Sequence, residues 1–171
     1  MSIFKTAYTL KIEKGVDKSR ELFENSFLDM AKKGYSSSTV IHHPSYGLKK
    51  FSGTIDKGTY KARLILSHET DDFYRSAPVN EITFAGNESE TTVEVVVKKI
   101  KYGFVFLCIL AVSIILLGFS LMFMEDLTML IAFAAAAFVV LLFSFIPLLI
   151  ARHRVTKAKE ELIYILKYAD N

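Results

Sequence analysis

Two stretches of the 171-residue chain gather side chains that could hold a metal, His42-His43 and His68-Glu69-Thr70-Asp71-Asp72. Imidazole and carboxylate ligands suit zinc or a harder transition metal. The spacing argues for solvated loops instead, because adjacent strand residues point to opposite faces and neither stretch carries an HxxxH or CxxC repeat. Ser, His and Asp all occur, yet no Gly-x-Ser-x-Gly turn presents a serine nucleophile. Glycine loops of the phosphate- or dinucleotide-binding kind are missing too; Gly47, Gly53 and Gly58 read as turn or bulge positions. Asn87-Glu88-Ser89 fits a glycosylation sequon but falls on a loop expected to face the cytoplasm, where it has no meaning. No catalytic, cofactor or metal residue is assigned. An enzyme acting on a lipid or nucleotide would need convergent polar groups, and the chain offers only scattered His and Asp.

The elements that would position any site are dominated by two apolar segments. Tyr102–Met124 runs 23 residues and Leu127–Ala151 runs 25 without a charge, separated only by Glu125 and Asp126. Each is long enough to cross a hydrocarbon core of about 30 Å as a helix. So short a connection permits only a helical hairpin, which puts both ends of the chain on one side. Lys98, Lys99 and Lys101 precede the first segment and Arg152, Arg154, Lys157 and Lys159 follow the second, whereas the tip has two carboxylates and no cation. The positive-inside rule then places both termini in the cytoplasm. These seven cations are the expected membrane-surface contacts, a belt attracted to anionic headgroups. Met1-Ser2-Ile3-Phe4-Lys5 lacks the apolar core of a signal peptide.

Within the second segment Pro147 removes the backbone donor to Phe143, which predicts a bend, and Ala132–Ala137 with Gly118 of the partner segment offers close helix packing. Ionisable side chains are missing at depth; only Ser113, Ser120, Thr128 and Ser144 are polar, which is poor transport chemistry. The lone cysteine, Cys108, excludes an internal disulfide and suits a reducing compartment. Residues 1–101 hold 16 Lys+Arg against 13 Asp+Glu, spread along the chain, so nucleic acid is not an expected partner.

Residues 3–12 alternate Phe4, Thr6, Tyr8, Leu10 and Ile12 with Lys5, Ala7, Thr9 and Lys11, the period of a strand with one buried face. Asp17 can cap a helix reaching Lys33, with Gly34 ending it and Leu22, Phe23, Phe27, Met30 and Ala31 on one side. Strands follow at 39–42, at 48–55 and 60–67 across Asp56-Lys57-Gly58, and at 82–85 and 91–97 across Gly86–Glu90. After Ala151, Val155, Ala158, Leu162, Ile165 and Leu166 form a stripe that must cover its own domain, a second copy or the membrane surface. The fold class is an α+β membrane protein. A small two-layer domain, one helix on an antiparallel sheet (1–101), joins a two-helix transmembrane hairpin (102–151) and a C-terminal cytosolic helix (152–171).

Phe51-Ser52-Gly53-Thr54-Ile55, Tyr60-Lys61-Ala62-Arg63-Leu64-Ile65, Tyr74-Arg75-Ser76-Ala77-Pro78 and Thr91-Thr92-Val93-Glu94-Val95 lead straight into the two segments. In that order they resemble a family of small uncharacterised bacterial inner-membrane proteins with a cytosolic α+β domain before a transmembrane hairpin. The family's turn carries an Asn that Arg75-Ser76 lacks. The resemblance implies a bacterial inner membrane and brings no activity and no cofactor.

Two functions are expected from this layout. In the first, a membrane-anchored non-enzymatic protein binds a partner or small ligand at the membrane face, in a pocket on the concave side of the sheet near Tyr8, Tyr60 and Tyr74. The alternative is a homo-oligomeric pore or membrane-perturbing effector, as in bacterial defence or toxin systems, with serines facing an axis and the tail bundling copies. The bilayer is the partner both require.

Overall fold

Strands β1 (Lys5–Ile12), β4 (Thr59–Leu64), β5 (Val79–Gly86) and β6 (Thr91–Lys98) alternate in burial along their length, so each has one face that must leave water. The computed structural model describes residues 3–33, 49–66, 75–122 and 126–168. It joins these strands with β2 (Phe27–Asp29) and β3 (Phe51–Asp56) in one six-stranded sheet of order β1-β6-β5-β4-β3-β2. Consecutive strands from β3 to β6 pair antiparallel as a meander, and β1 returns to pair with β6 from Lys5↔Lys98 to Ile12↔Thr91. The β3–β4 turn is held by Lys57 at φ 47° and Gly58 at φ 79°, the positive pair that a two-residue hairpin needs. Asn87 organises the β5–β6 loop by accepting the N–H of Ser89 and of Glu90 on Oδ1, each at 2.9 Å.

The single helix expected from Asp17 to Lys33 is divided. Helix α1 covers Val16–Asn25, the chain enters β2, and a single turn, α2 (Met30–Lys33), follows. Asn25 and Ser26 are poor helix formers, and the Ser26 carbonyl accepts the N–H of Lys50 and of Phe51, at 2.9 and 3.1 Å. That tie draws Phe27–Asp29 into parallel pairing with Phe51–Gly53. The cap differs as well: Gly15 occupies the N-cap, Asp17 sits in the first turn, and the Val16 N–H is satisfied by the Asn87 carbonyl at 3.0 Å. The strand expected at 39–42 lies outside the described residues.

One face of the sheet is covered by α1 and by the end of a very long helix. Phe23, fully buried, lies at the centre, with the rings of Phe27, Phe51, Tyr60 and Phe84 at centroid distances of 5.1–5.7 Å. Helix α3 (Ile100–Met122) starts two residues after β6, and α4 (Leu127–Tyr168) runs 42 residues through Pro147 without a break. At about 1.5 Å per residue α4 is roughly 63 Å long. Its last turns bring Ala158, Leu162, Ile165 and Leu166 into the same core as Phe23. The expected tail stripe therefore lies on its own sheet.

Gly53 is neither turn nor bulge. It lies inside β3 opposite Ala62, where an added Cβ would come 1.8 Å from the Lys61 carbonyl oxygen. Gly53→Ala should cost about 1–3 kcal/mol through overpacking. Phe23→Ala should cost about 3–5 kcal/mol, and Tyr60→Phe, which removes only the hydroxyl donated to Glu24 Oε1, about 1 kcal/mol. Denaturant unfolding followed by circular dichroism checks that order.

Candidate functional site

The two long helices meet along small residues. Ser113 and Ser120 of α3 and Ala137, Ser144 and Ala151 of α4 are buried, spaced seven apart on each helix, and the series continues on the sheet side with Ala158 and Ile165. A seven-residue repeat keeps one face of a helix turned toward its partner. Ser113 donates to the Ala137 carbonyl across the hairpin at 2.8 Å, while Ser120 and Ser144 donate to the Leu117 and Leu141 carbonyls of their own helices. Large side chains point away, with Ile114 60%, Leu121 63%, Phe138 60% and Phe143 57% exposed. Gly118, expected to bring the helices together, faces outward: a Cβ there would meet nothing within 4 Å.

The concave face of the sheet does not hold the expected pocket among the described residues. Tyr60 is core, edge-on to Phe23 and Phe27, and burial together with the bond to Glu24 pushes its hydroxyl far above the usual tyrosine range. Tyr8 is half-buried beneath the Lys159 ammonium, 5.3 Å from the ring centre, and burial pushes its hydroxyl up to about 12. Tyr74 lies outside the described residues, as do His42, His43 and His68–Asp72.

Polar chemistry converges instead where the open face of the sheet meets α3. The register there sets Ser52 beside Arg63, and Lys98 between Lys5 and Val79. A recess of about 310 Å³ is lined by Arg63 of β4, Arg75 and Ser76 before β5, Lys98 and Lys99 at the end of β6, and Lys101 in the first turn of α3, with Ala77, Val79 and Ile100 as apolar wall. Lys98 is paired with Glu81 at 2.6 Å, and Lys101 donates to the Arg75 carbonyl at 3.2 Å. Arg63 Nε is buried without a partner among the described residues, which carries a penalty of about 1–3 kcal/mol. Lys99 is only 6% exposed, and its burial pulls the ammonium below the usual lysine range.

The floor of this junction is closely packed. The Lys99 N–H donates to the Phe4 carbonyl at 2.7 Å, and the Phe4 ring lies so close to Gly103 that a Cβ would come within 2.5 Å. A larger recess of about 670 Å³ lies between Lys50, Leu66 and α4, but its two cations, Lys50 and Lys157, face two carboxylates, Glu160 and Glu161. It has no dominant sign.

The seven collar cations separate into different settings. Lys98, Lys99 and Lys101 line the junction recess; Arg154 is buried, 8% exposed, against Leu64, Ala77 and Asn80. Lys157 borders the larger recess, Lys159 caps Tyr8, and Arg152 is exposed. Arg63 and Arg75 escape sequence reasoning because they join the recess only through strand register. The seven-residue series of small residues was a readable signal for the helix seam. No family model, curated protein or solved structure matches the chain.

The seam makes a testable contrast. Ser113→Leu should force the hairpin apart and lower its melting temperature, whereas Gly118→Leu should leave the melting temperature unchanged.

Proposed function

We propose that the chain is a membrane-anchored, non-enzymatic binding protein. Helix α3 and the first half of α4 cross a bacterial inner membrane as a hairpin, both termini stay in the cytoplasm, and the sheet domain takes a small ligand or partner at the membrane face. The observation that carries this reading is the inverted burial of the hairpin: Ser113, Ser120, Ala137, Ser144 and Ala151 face inward, and most of the large apolar side chains face out along both helices. Such a surface suits lipid, since water would penalise it at about 25 cal/mol for each Å² left exposed. Lys98, Lys101, Arg152 and Lys157 lie at the end of the hairpin that meets the sheet, and Asp126 lies at the tip. The family of uncharacterised inner-membrane proteins that the sequence resembles belongs to the same proposal.

The site favoured for the ligand is the junction recess rather than the filled interior of the sheet. A pore finds less support, because Ser113, Ser120 and Ser144 spend their hydroxyls on the hairpin's own carbonyls.

Reporter fusions at both termini and at the Glu125–Asp126 tip test the topology; the termini should report cytoplasm and the tip the opposite side. Exchanging Lys98, Lys99 and Lys101 together for Gln should produce a mixed topology, and exchanging Lys5 and Lys11 should not. A cytoplasmic tip overturns the proposal.

A further inference from the structure

We infer that the start of the sheet domain, at Ile3 and Phe4, is itself a membrane contact, with the Phe4 ring seated among lipid at the bilayer interface beside the first turn of α3. The inference rests on the membrane reading above and adds a contact made by the domain to those made by the hairpin.

The backbone ties this end of the domain to α3. The Lys99 N–H donates to the Phe4 carbonyl at 2.7 Å, one step beyond the Lys5↔Lys98 pair, so the β1–β6 ladder reaches the residue before α3. That bond sets Phe4 at the height of the first helical turn, where its ring takes the space that a side chain at position 103 would fill. A Cβ on Gly103 would come 2.5 Å from Phe4 Cδ1, 2.6 Å from Phe4 Cε1 and 3.3 Å from the Ile3 carbonyl oxygen. Only a glycine lets the ring lie this close to the helix. In effect Phe4 supplies the apolar side chain that α3 lacks at that point.

The ring is not sealed by protein, since Phe4 is 38% exposed. Round the helix Gly103 lies roughly 60° from Ile100 and roughly 40° from Leu107, at about 100° per residue. Those neighbours are 62% and 42% exposed, and Phe104, the next residue round, is 64% exposed. Phe4 therefore extends onto the domain the same outward apolar surface that the hairpin presents, and a continuous surface takes one cover. Lipid is that cover on α3, so lipid covers Phe4. The depth is interfacial: Phe4 sits between Lys98 and Lys101 on one side and the charge-free segment that opens at Tyr102 on the other. Two ties then hold the sheet to the bilayer, the end of α4 in the core and Phe4 at the edge.

The chain contains no Trp, so a single introduced indole reports its own depth. The full-length protein is reconstituted in phosphatidylcholine–phosphatidylglycerol vesicles whose acyl chains carry bromine either near the headgroup or near the bilayer centre, and quenching of the indole is measured. Phe4→Trp should lose about half its emission to the shallow bromines and less to the deep ones, as an interfacial group does. Ile114→Trp, outward at mid-helix and 60% exposed, should show the reverse order. Lys11→Trp, exposed at the far end of the same strand, should be quenched by neither. Ile3→Trp carries the same expectation as Phe4→Trp and keeps the test open if the larger ring disturbs the packing on Gly103. Quenching of the Phe4 and Ile3 variants no greater than that of Lys11→Trp, with Ile114→Trp quenched, overturns this inference alone. Shielding of both from aqueous iodide without bromine quenching means that protein, such as a second copy, covers the site, and overturns the lipid assignment. Absence of quenching in Ile114→Trp overturns the membrane reading, and this contact with it.

Discussion

Everything in this fold depends on one helix serving two partners with one stripe. Between Ala137 and Ala151 the small face of α4 packs on α3; from Ala158 to Leu166 the same face, now of larger side chains, fills the core against Phe23 and the sheet. The change in side-chain size is what the geometry requires. Two helices in contact approach closely over Ser and Ala, whereas a helix resting on a sheet has to fill a wider gap with Leu and Ile. Since α4 has no break and α3 leaves β6 after a single residue, the hairpin and the sheet cannot be reoriented independently without disrupting this core.

The same constraint explains where polar groups collect. At the far end of the core the polar groups that tie α1 to the β5–β6 hairpin are paired: Thr91 Oγ1 donates to the Lys14 carbonyl at 2.7 Å, and the Val16 N–H to the Asn87 carbonyl at 3.0 Å. At the end nearest the hairpin, strand, turn and helix arrive together with their cations, and buried polar atoms go without partners among the described residues, including Arg63 Nε, Thr6 Oγ1 and the hydroxyl of Tyr102.

Local patterns carried much of the architecture. Period-two alternation marks β1, β4, β5 and β6, Lys57-Gly58 marks its turn, and the stripe from Val155 to Leu166 marks a helix that needs a cover. The division of α1 from β2 was illegible because Leu22, Phe23, Phe27 and Met30 keep helical spacing; the preference for β2 comes from a distant strand, through the bonds of Ser26 to Lys50 and Phe51. The recess was half legible. Lys98, Lys99 and Lys101 form an evident basic group, but Arg63 and Arg75 lie far away in sequence and no periodicity links them to it. Only the register of β4, β5 and β6 does so.

The placement of β1 has a kinetic meaning. Among the described residues β1 finds its one partner in β6, and the core that α1 begins is closed by Leu162 and Leu166. Because synthesis delivers β1 and α1 before β6 and the long helices, β1 waits unpaired for β6, and the core stays open until the last turns of α4 have left the ribosome. Such long-range closure is slow compared with hairpin formation. The core therefore closes last, after the fate of the apolar pair has been decided, and a chain whose hairpin is mishandled is left with the apolar face of its sheet uncovered.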